Sequence, residues 1–211
     1  MNAAGMTEGA SSKALERYYQ FHSRIYDATR WSFLFGREEV LRRAARVCQP
    51  KRILEVGCGT GRNLVSLRKR FPEAAITGVD LSEPMLGIAA AKVRDSNTNL
   101  LRRSYNAPVH GTEEPYDLIL FSYSLSMFNP GWEQAIEAAH GDLAPRGCVA
   151  VVDFSHSAFG WFTRWMGVNH VRMDGHLWPK LAAKFDVLLD ERFPAYGGVW
   201  NYGIFLGQKQ P

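Results

Sequence analysis

Three glycines at alternate positions, Gly57, Gly59 and Gly61, are the clearest indication of a ligand site in this sequence. The mostly apolar segment 53–56 before them is typical of the end of a buried strand, and the segment 62–70 after them is typical of a helix. A strand-to-helix turn without Cβ atoms lets a ligand approach the backbone, and the helix start offers unpaired N–H groups. We therefore predict a nucleotide-type cofactor site on an open α/β sheet.

Two carboxylates indicate which cofactor this site would take. The glycine spacing is G-x-G-x-G rather than the dinucleotide pattern G-x-G-x-x-G, and Glu55 precedes the first glycine by two residues. A carboxylate there would repel a pyrophosphate but suits S-adenosylmethionine (SAM), which has a sulfonium, an α-ammonium and no phosphate. Asp80 ends the next predicted strand, about 20 residues on, where an acid can bind the two ribose hydroxyls.

Together, Glu55, the three glycines and Asp80 resemble the class I SAM-dependent methyltransferases. The resemblance implies a Rossmann-like, doubly wound α/β fold with a seven-stranded, mostly parallel sheet, an antiparallel C-terminal hairpin and an N-terminal helical lid. It also implies that Asn106 meets the adenine amino group and that the segment after the fourth strand lies beneath the methyl group. The predicted cofactor-binding residues are Glu55, Gly57, Cys58, Gly59, Thr60, Gly61, Asn63, Asp80, Leu81, Met85, Asn106, Ala107, Phe121, Ser122 and Tyr123.

Length and composition favour one globular domain. The chain has 211 residues and a net charge of +4, which permits an anionic partner without requiring one. Its 3 cysteines form no C-x-x-C pair, so we expect a reducing, cytoplasmic location and no metal site. Residues 1–12 read as a disordered tail rather than a signal peptide, and no apolar stretch reaches the ~18 residues of a membrane span.

The pattern along the chain predicts three regions of a single domain. A tail and helical lid occupy residues 1–48, with helices over 13–30 and 32–47. The SAM-binding core occupies 49–154, and a substrate-side region with the edge strands occupies 155–211. The predicted strands after the first are 75–80, 99–103, 116–121, 148–154, 187–189 and 199–206, and the predicted helices after the lid are 62–70, one beginning at 82, 132–143, 158–166 and 178–185.

Methyl transfer from a sulfonium is an in-line displacement, so the protein chiefly has to align donor and acceptor. An alkylammonium acceptor must first lose a proton, which costs roughly 4 kcal/mol at pH 7. Tyr19, His22 and Tyr26, in the first predicted helix, are the candidates for relaying that proton. The segment from Ser122 to Leu125 lacks the Asn/Asp-Pro-Pro-aromatic tetrapeptide of enzymes that methylate base amino groups, so no nucleic-acid substrate is expected.

Segments 18–37, 55–64 and 194–202 resemble a narrower branch, the diacylglycerylhomoserine N-methyltransferases of betaine-lipid synthesis. This resemblance implies three successive methylations of a lipid-borne amine by an enzyme that contacts an anionic membrane surface. Phosphatidylethanolamine N-methyltransferases and enzymes acting on small molecules are the alternatives. The candidate substrate residues are Arg30, Trp31, His170, Arg172 and Trp200, whose aromatic or cationic groups suit an ammonium and a carboxylate or phosphate.

Other interpretations remain open at the level of sequence. A helix over 158–166 would place Trp161, Phe162, Trp165 and Met166 on one side, either against a bilayer or against the sheet. An NAD-dependent oxidoreductase is disfavoured by Glu55 and by the glycine spacing. A SAM-binding scaffold or sensor without catalysis is a third possibility, against which the complete set of cofactor motifs argues.

Overall fold

The computed structural model describes residues 34–168 and 171–211. The first predicted lid helix, with Tyr19, His22 and Tyr26, lies outside these ranges. The helices are α1 (Arg37–Val47), α2 (Arg62–Arg70), α3 (Glu83–Lys92), α4 (Trp132–Asp142), α5 (Gly160–Val168) and α6 (Leu177–Lys184). The strands are β1 (Arg52–Val56), β2 (Ala75–Asp80), β3 (Thr98–Arg102), β4 (Tyr116–Ser122), β5 (Leu143–Phe154), β6 (Asp186–Ala195) and β7 (Trp200–Gln208).

The seven strands form one sheet in the order β3-β2-β1-β4-β5-β7-β6. The first five strands pair in parallel, whereas β7 runs antiparallel to both of its neighbours. Strand order reverses between β1 and β4, so their carboxyl ends open a crevice of the kind in which open α/β sheets bind ligands. The predicted doubly wound sheet with its antiparallel C-terminal hairpin is confirmed.

Helices cover both faces of this sheet, because the central strands are apolar on both sides. Ile53 and Leu54, neighbours in β1, are both fully buried but belong to the two different cores. One core packs α1, α2 and α3 against the sheet, and the other packs α4 and α6 against it. The crevice therefore lies between two layers of helices, each packed against one face of the sheet.

Some boundaries differ from the predictions. The second lid helix begins at Arg37 rather than at 32, because Gly36 adopts a left-handed conformation (φ +78°) that ends helical geometry. The fifth strand, predicted over 148–154, begins earlier, because β5 starts at Leu143 and includes residues 145–147. The pairing register of β5 with β4 shifts across that segment, and Arg146 there has φ +62°.

The helix predicted over 158–166 forms as α5, but its aromatic residues are divided between two faces. Phe162 and Met166 are buried, whereas Trp161 and Trp165 are 64% and 49% exposed. The inner face therefore packs into the core, whereas contact of the outer face with a bilayer stays a prediction. None of the helices in the described ranges is long and apolar enough to cross a membrane.

Candidate functional site

A cavity of about 720 Å³ lies at the carboxyl ends of β1, β2 and β4. The glycine turn forms its floor, and the loops after β2, β3 and β4 form its walls. Twelve of the predicted cofactor-binding residues line the cavity: Glu55, Gly57, Cys58, Gly59, Thr60, Asn63, Asp80, Leu81, Met85, Asn106, Ser122 and Tyr123. Motifs that are far apart in the chain are thus brought together at one site.

The three glycines of the turn have different roles, although all have positive φ. A Cβ on Gly57 would lie 2.6 Å from Ser124 Cβ, and one on Gly61 would lie 2.8 Å from Ala89 Cβ. A Cβ on Gly59 would have no atom within 4 Å and would project into open space beside the cavity. Gly57 and Gly61 therefore allow close packing, whereas Gly59 leaves room for a ligand.

Backbone N–H groups of the turn are largely used within the protein. Gly57 N and Cys58 N both donate to Val79 O, at 2.8 and 3.0 Å, and Gly61 N donates to Cys58 O. Gly59 N donates to Asp80 Oδ2 at 2.8 Å. These amides do not form a cradle for phosphate oxygens, and two carboxylates lie beside them. The geometry therefore argues against a pyrophosphate and hence against the dinucleotide interpretation.

Glu55 is a buried carboxylate that is only half satisfied. Asn63 Nδ2 donates to its Oε1 at 2.8 Å, while Oε2 is buried and has no hydrogen-bond partner among the described residues. Burial raises its pKa to about 8, although the hydrogen bond from Asn63 and the charge of Arg37 favour the ionised form. An unpartnered acceptor in the cavity wall fits a cationic ligand group such as the α-ammonium of SAM.

This raised pKa gives a test of the ammonium assignment. Since the folded-state pKa of Glu55 is about 8 against 4.5 for a free side chain, the empty site holds a proton that an incoming ammonium displaces. SAM affinity should therefore increase from about pH 6 to about pH 7.5, by at most about tenfold per pH unit for one linked proton. Calorimetry in buffers of different ionisation enthalpy would detect the released proton.

The matched variant is Glu55→Gln, which keeps the shape and the Asn63 contact but cannot titrate. Its SAM affinity should be lower and independent of pH over this range. Without cofactor, wild-type stability should decrease as pH rises from 4.5 towards 8, because only the unfolded chain releases the Glu55 proton in that window. The Gln variant should lack this decrease, and the same pH dependence in both proteins would contradict the assignment.

Asp80 links the turn to the second strand and the following helix. Its Oδ2 accepts from Gly59 N, and its Oδ1 accepts from Ser82 N at 2.9 Å. Ser82 in turn caps α3, since its Oγ accepts from Met85 N at 3.4 Å. Asp80 therefore holds two walls of the cavity in place, and its partly exposed carboxylate remains within the cavity, as a ribose ligand must.

The end of β4 carries further polar groups and a strained residue. Ser122 and Ser124 line the cavity, and their hydroxyls are buried without a partner in the described parts of the chain. Tyr123 between them has φ +56°, which is costly for a residue with a side chain. Its hydroxyl donates to Phe35 O at 2.7 Å, so β4 is tied to the segment that enters α1. This conformation turns the backbone sharply beneath the cavity.

Three residues predicted to bind the cofactor do not line the cavity. Gly61 is required for the contact of α2 with Ala89 of α3, as described above. The Phe121 side chain is fully buried and packs edge-on against Tyr105. Ala107 lies on the exposed outer part of its loop. In each case the motif position is near the cavity, but the side chain or backbone faces elsewhere.

Neither of the predicted substrate residues that the structure describes, Arg172 and Trp200, lines the cavity. Trp200 is fully buried within an aromatic cluster with Phe154 and Phe162, away from the cavity surface. Arg172 is exposed, and its Nε donates to Asp174 at 2.7 Å while its backbone N–H donates to Ser126 O. Arg30, Trp31 and His170 lie outside the described residues, so their roles stay predictions.

Several cavity residues were not predicted from the sequence. Arg37 adds a positive charge near Glu55, and the loop from Met127 to Gly131 closes the side next to α4. Asp153, at the end of β5, does not line the cavity; it is fully buried and accepts from Ser126 N and Phe154 N. A carboxylate that ends the apolar run 148–152 is the one signal that could have drawn attention to it.

Comparison with known proteins shows what the cofactor half of this chain is similar to. A family model described as a methyltransferase domain matches residues 53–147. The malonyl-[acyl-carrier protein] O-methyltransferase of Priestia megaterium is 36% identical over 107 residues, which is 51% of this chain and 38% of that protein. A trans-aconitate 2-methyltransferase of Rhodopseudomonas palustris is 34% identical over 105 residues, 48% of this chain and 38% of that protein. The chain thus spans about two-fifths of the length of these relatives.

The fold comparison agrees. The crystal structure of the N-methyltransferase NodS from Bradyrhizobium japonicum WM9, in complex with S-adenosylhomocysteine (SAH), superposes with a TM-score of 0.68. It is 18% identical in sequence, and the match covers 83% of this chain and 86% of that one. Residues 53–147 therefore match a methyltransferase domain, and the sheet has the fold of this SAH-bound N-methyltransferase. Both comparisons support the predicted methyltransferase class with SAM as its cofactor, and the superposition confirms the predicted fold.

The narrower resemblance to betaine-lipid enzymes is not matched by these relatives. By their names, they methylate malonyl-acyl carrier protein and trans-aconitate. Within the described ranges, no group of three or more His, Cys, Asp and Glu side chains is placed to hold a metal ion.

Proposed function

We propose that this protein transfers a methyl group from SAM to the amine nitrogen of a lipid at a cytoplasmic membrane surface. The observation that carries the SAM assignment is the half-satisfied Glu55 carboxylate beside the open space at Gly59. Bound SAM would supply an electrophilic methyl group on a sulfonium. Glu55 would hold its α-ammonium, Arg37 its carboxylate, and Asp80 its ribose hydroxyls.

The lining residues support an acceptor that approaches over the end of β4. Ser122, Tyr123 and Ser124 lie there, and burial raises the pKa of Tyr123, so its phenol stays protonated. At this end of the cavity the wall consists of hydroxyls and an aromatic ring, which would favour the neutral form of an incoming amine by desolvation. No histidine lines the cavity within residues 34–168 and 171–211, so proton removal remains the predicted role of Tyr19, His22 or Tyr26.

The outer face of α5 supports the lipid assignment. Trp161, Trp165 and Val168 are exposed on this face, with Phe159 just before the helix and Arg164 beside them. Aromatic side chains at the surface with a basic neighbour are typical of helices that lie at a bilayer interface.

The same helix is connected to the cavity. Ring contacts lead from Phe162, on its inner face, through Trp200 and Phe154 to Tyr123 in the cavity wall. A bilayer contacted by α5 would therefore lie on the side of the domain that carries the acceptor end of the site. We infer that a lipid headgroup could reach the methyl group without its chains leaving the membrane.

The direct test is product analysis by mass spectrometry with methyl-labelled SAM. Diacylglycerylhomoserine in mixed micelles should acquire one, two and then three labelled methyl groups. Phosphatidylethanolamine, malonyl-acyl carrier protein and a water-soluble amine should be supplied in parallel. Methylation of one of these alone would show a different acceptor, and labelled methyl esters would indicate the carboxylate chemistry named for the relatives. If none of the supplied acceptors gains a labelled methyl group, the enzyme assignment is contradicted.

We expect Trp161→Ala combined with Trp165→Ala to weaken binding to anionic liposomes by about tenfold or more, because burying one large apolar side chain is worth about 1.5–3 kcal/mol. Wild-type binding should also weaken as salt rises. Sedimentation with liposomes measures both effects. Since both side chains are largely exposed, the free energy of unfolding should change little.

The matched control is Val187→Ala combined with Leu188→Ala, a second exposed apolar pair on edge strand β6. This variant should bind liposomes as the wild type does. Equal effects of the two double variants would show that α5 is not the membrane-contacting surface.

A further inference from the structure

Asp142, the last residue of α4, is a fully buried carboxylate outside the cavity wall. Its Oδ2 accepts a hydrogen bond from Tyr105 Oη at 2.7 Å. Its Oδ1 accepts from the backbone N–H groups of Val109 and His110, at 2.8 and 2.9 Å, and lies 2.7 Å from His110 Nδ1. A buried charge is tolerated only when it is compensated in this way, so this network is closely specified.

All of these donors belong to one loop, which connects β3 to β4. The same loop supplies Arg103, Ser104, Tyr105 and Asn106 to the cavity wall. Asp142 therefore anchors from behind the segment whose front faces the ligand. Because the loop has no regular secondary structure between its strands, these side-chain contacts replace the backbone ladder that would otherwise fix it.

Tyr105 is the direct connection between the anchor and the cavity. It lines the cavity, its ring packs edge-on against Phe121 at 6.1 Å, and its hydroxyl reaches Asp142. Burial raises the pKa of Tyr105 well above its usual value, so the hydroxyl remains a donor. Asn106 directly follows Tyr105 and stands three residues before Val109. Because both of these residues are bound to Asp142, the loop position of Asn106 is restricted from both sides in the chain.

We propose that Asp142 is a positioning residue for adenine recognition, which holds the loop so that the Asn106 amide is set to recognise the amino group of the base. The inference rests on the proposed function, since it takes SAM as the ligand. An amide donates and accepts, so an oriented Asn106 can distinguish a 6-amino from a 6-oxo purine, whereas a freely moving amide cannot. Asp142 thus controls base selectivity without touching the ligand.

The test compares two ligands by calorimetry: SAH, and the analogue in which the adenine amino group is replaced by an oxo group. Wild-type protein should bind SAH about tenfold or more tightly than the analogue. The 6-amino group can donate to the Asn106 amide, whereas a 6-oxo group would place two acceptors against each other. Asp142→Asn should bind SAH about tenfold more weakly and bind the analogue nearly unchanged. Asparagine fails here because its NH₂ group would face donors that need an acceptor.

Tyr105→Phe is the second variant, since it keeps the ring packing and removes only the hydroxyl. It should lower the preference in the same direction by a smaller factor. Asp117→Asn is the matched control, because Asp117 Oδ2 also accepts from two backbone amides, Lys51 N and Arg52 N. These contacts lie at the amino-terminal ends of β1 and β4, whereas the cavity lies at the carboxyl ends. Its ligand preference should equal that of the wild type.

The possible outcomes distinguish a failure of the proposed function from a failure of the Asp142 inference. Wild-type protein that does not bind SAH would overturn the proposed function, and the inference with it. If SAH binds but both variants keep the wild-type preference, or lose affinity for both ligands equally, Asp142 has only a structural role and the inference is wrong. If Asp142→Asn does not fold, an unchanged preference in Tyr105→Phe overturns it.

Discussion

Gly59→Val is expected to reduce SAM affinity at least about a hundredfold, or about 2.8 kcal/mol, while the domain stays folded. The added side chain would enter open space beside the cavity, where it meets no protein atom within 4 Å. It would therefore displace ligand rather than protein. Calorimetry with SAM or SAH measures the loss, and circular dichroism checks that the fold is intact.

Backbone strain has to be separated from ligand exclusion, because Gly59 has φ +52° and valine there is strained by roughly 1–3 kcal/mol. Gly197→Val is the matched control, since Gly197 has φ +66° and open space in the turn before β7, away from the cavity. It should be destabilised similarly and bind SAM normally. Gly61→Val should instead unfold more easily because of its contact with Ala89. Unchanged affinity in Gly59→Val would refute the site.

Asp80→Ala is expected to weaken SAM binding by about a hundredfold or more, because a hydrogen bond to a charged acceptor contributes about 1.5–3 kcal/mol and two ribose hydroxyls are involved. Part of the loss would come from the turn, since Asp80 also accepts from Gly59 N and Ser82 N. The measurement must therefore distinguish a direct contact with the ribose from an indirect effect on the cavity wall.

A double-mutant cycle makes this distinction. Loss of the ribose 2′-hydroxyl from SAH should cost the wild type about tenfold and should cost Asp80→Ala almost nothing. If the 2′-hydroxyl is worth the same in both proteins, Asp80 only shapes the turn. Asp95→Ala is a suitable control, because Asp95 also accepts from a backbone amide, Asn97 N, but at the start of β3.

The cofactor half of the site could be predicted because its determinants are local. The sequence shows these determinants directly: apolar residues in β1, glycines in the turn, and Asp80 at the end of β2. Glu55 carried chemical information as well, since an acid beside a ligand turn selects against phosphate. The predicted sheet followed from the alternation of apolar strands and helical segments.

What could not be predicted depends on contacts between distant segments. Asp142 ends a helix like many polar residues, and only the folded chain shows that one loop converges on it. The burial of Trp200 was equally invisible, because aromatic residues serve both cores and ligand sites. The roles of Gly57, Gly59 and Gly61 differ only through the neighbours that a Cβ would meet.

The position of β7 in the sheet affects how the chain can be synthesised and folded. β7 is the last strand in the sequence, yet it lies between β5 and β6 and pairs with both. Until residues 200–208 leave the ribosome, the apolar β5 has an unpaired edge of the kind that templates aggregation. Early folding of the cofactor half would therefore leave this edge of β5 exposed until β7 pairs with it, and a stop codon before 200 would make that state permanent.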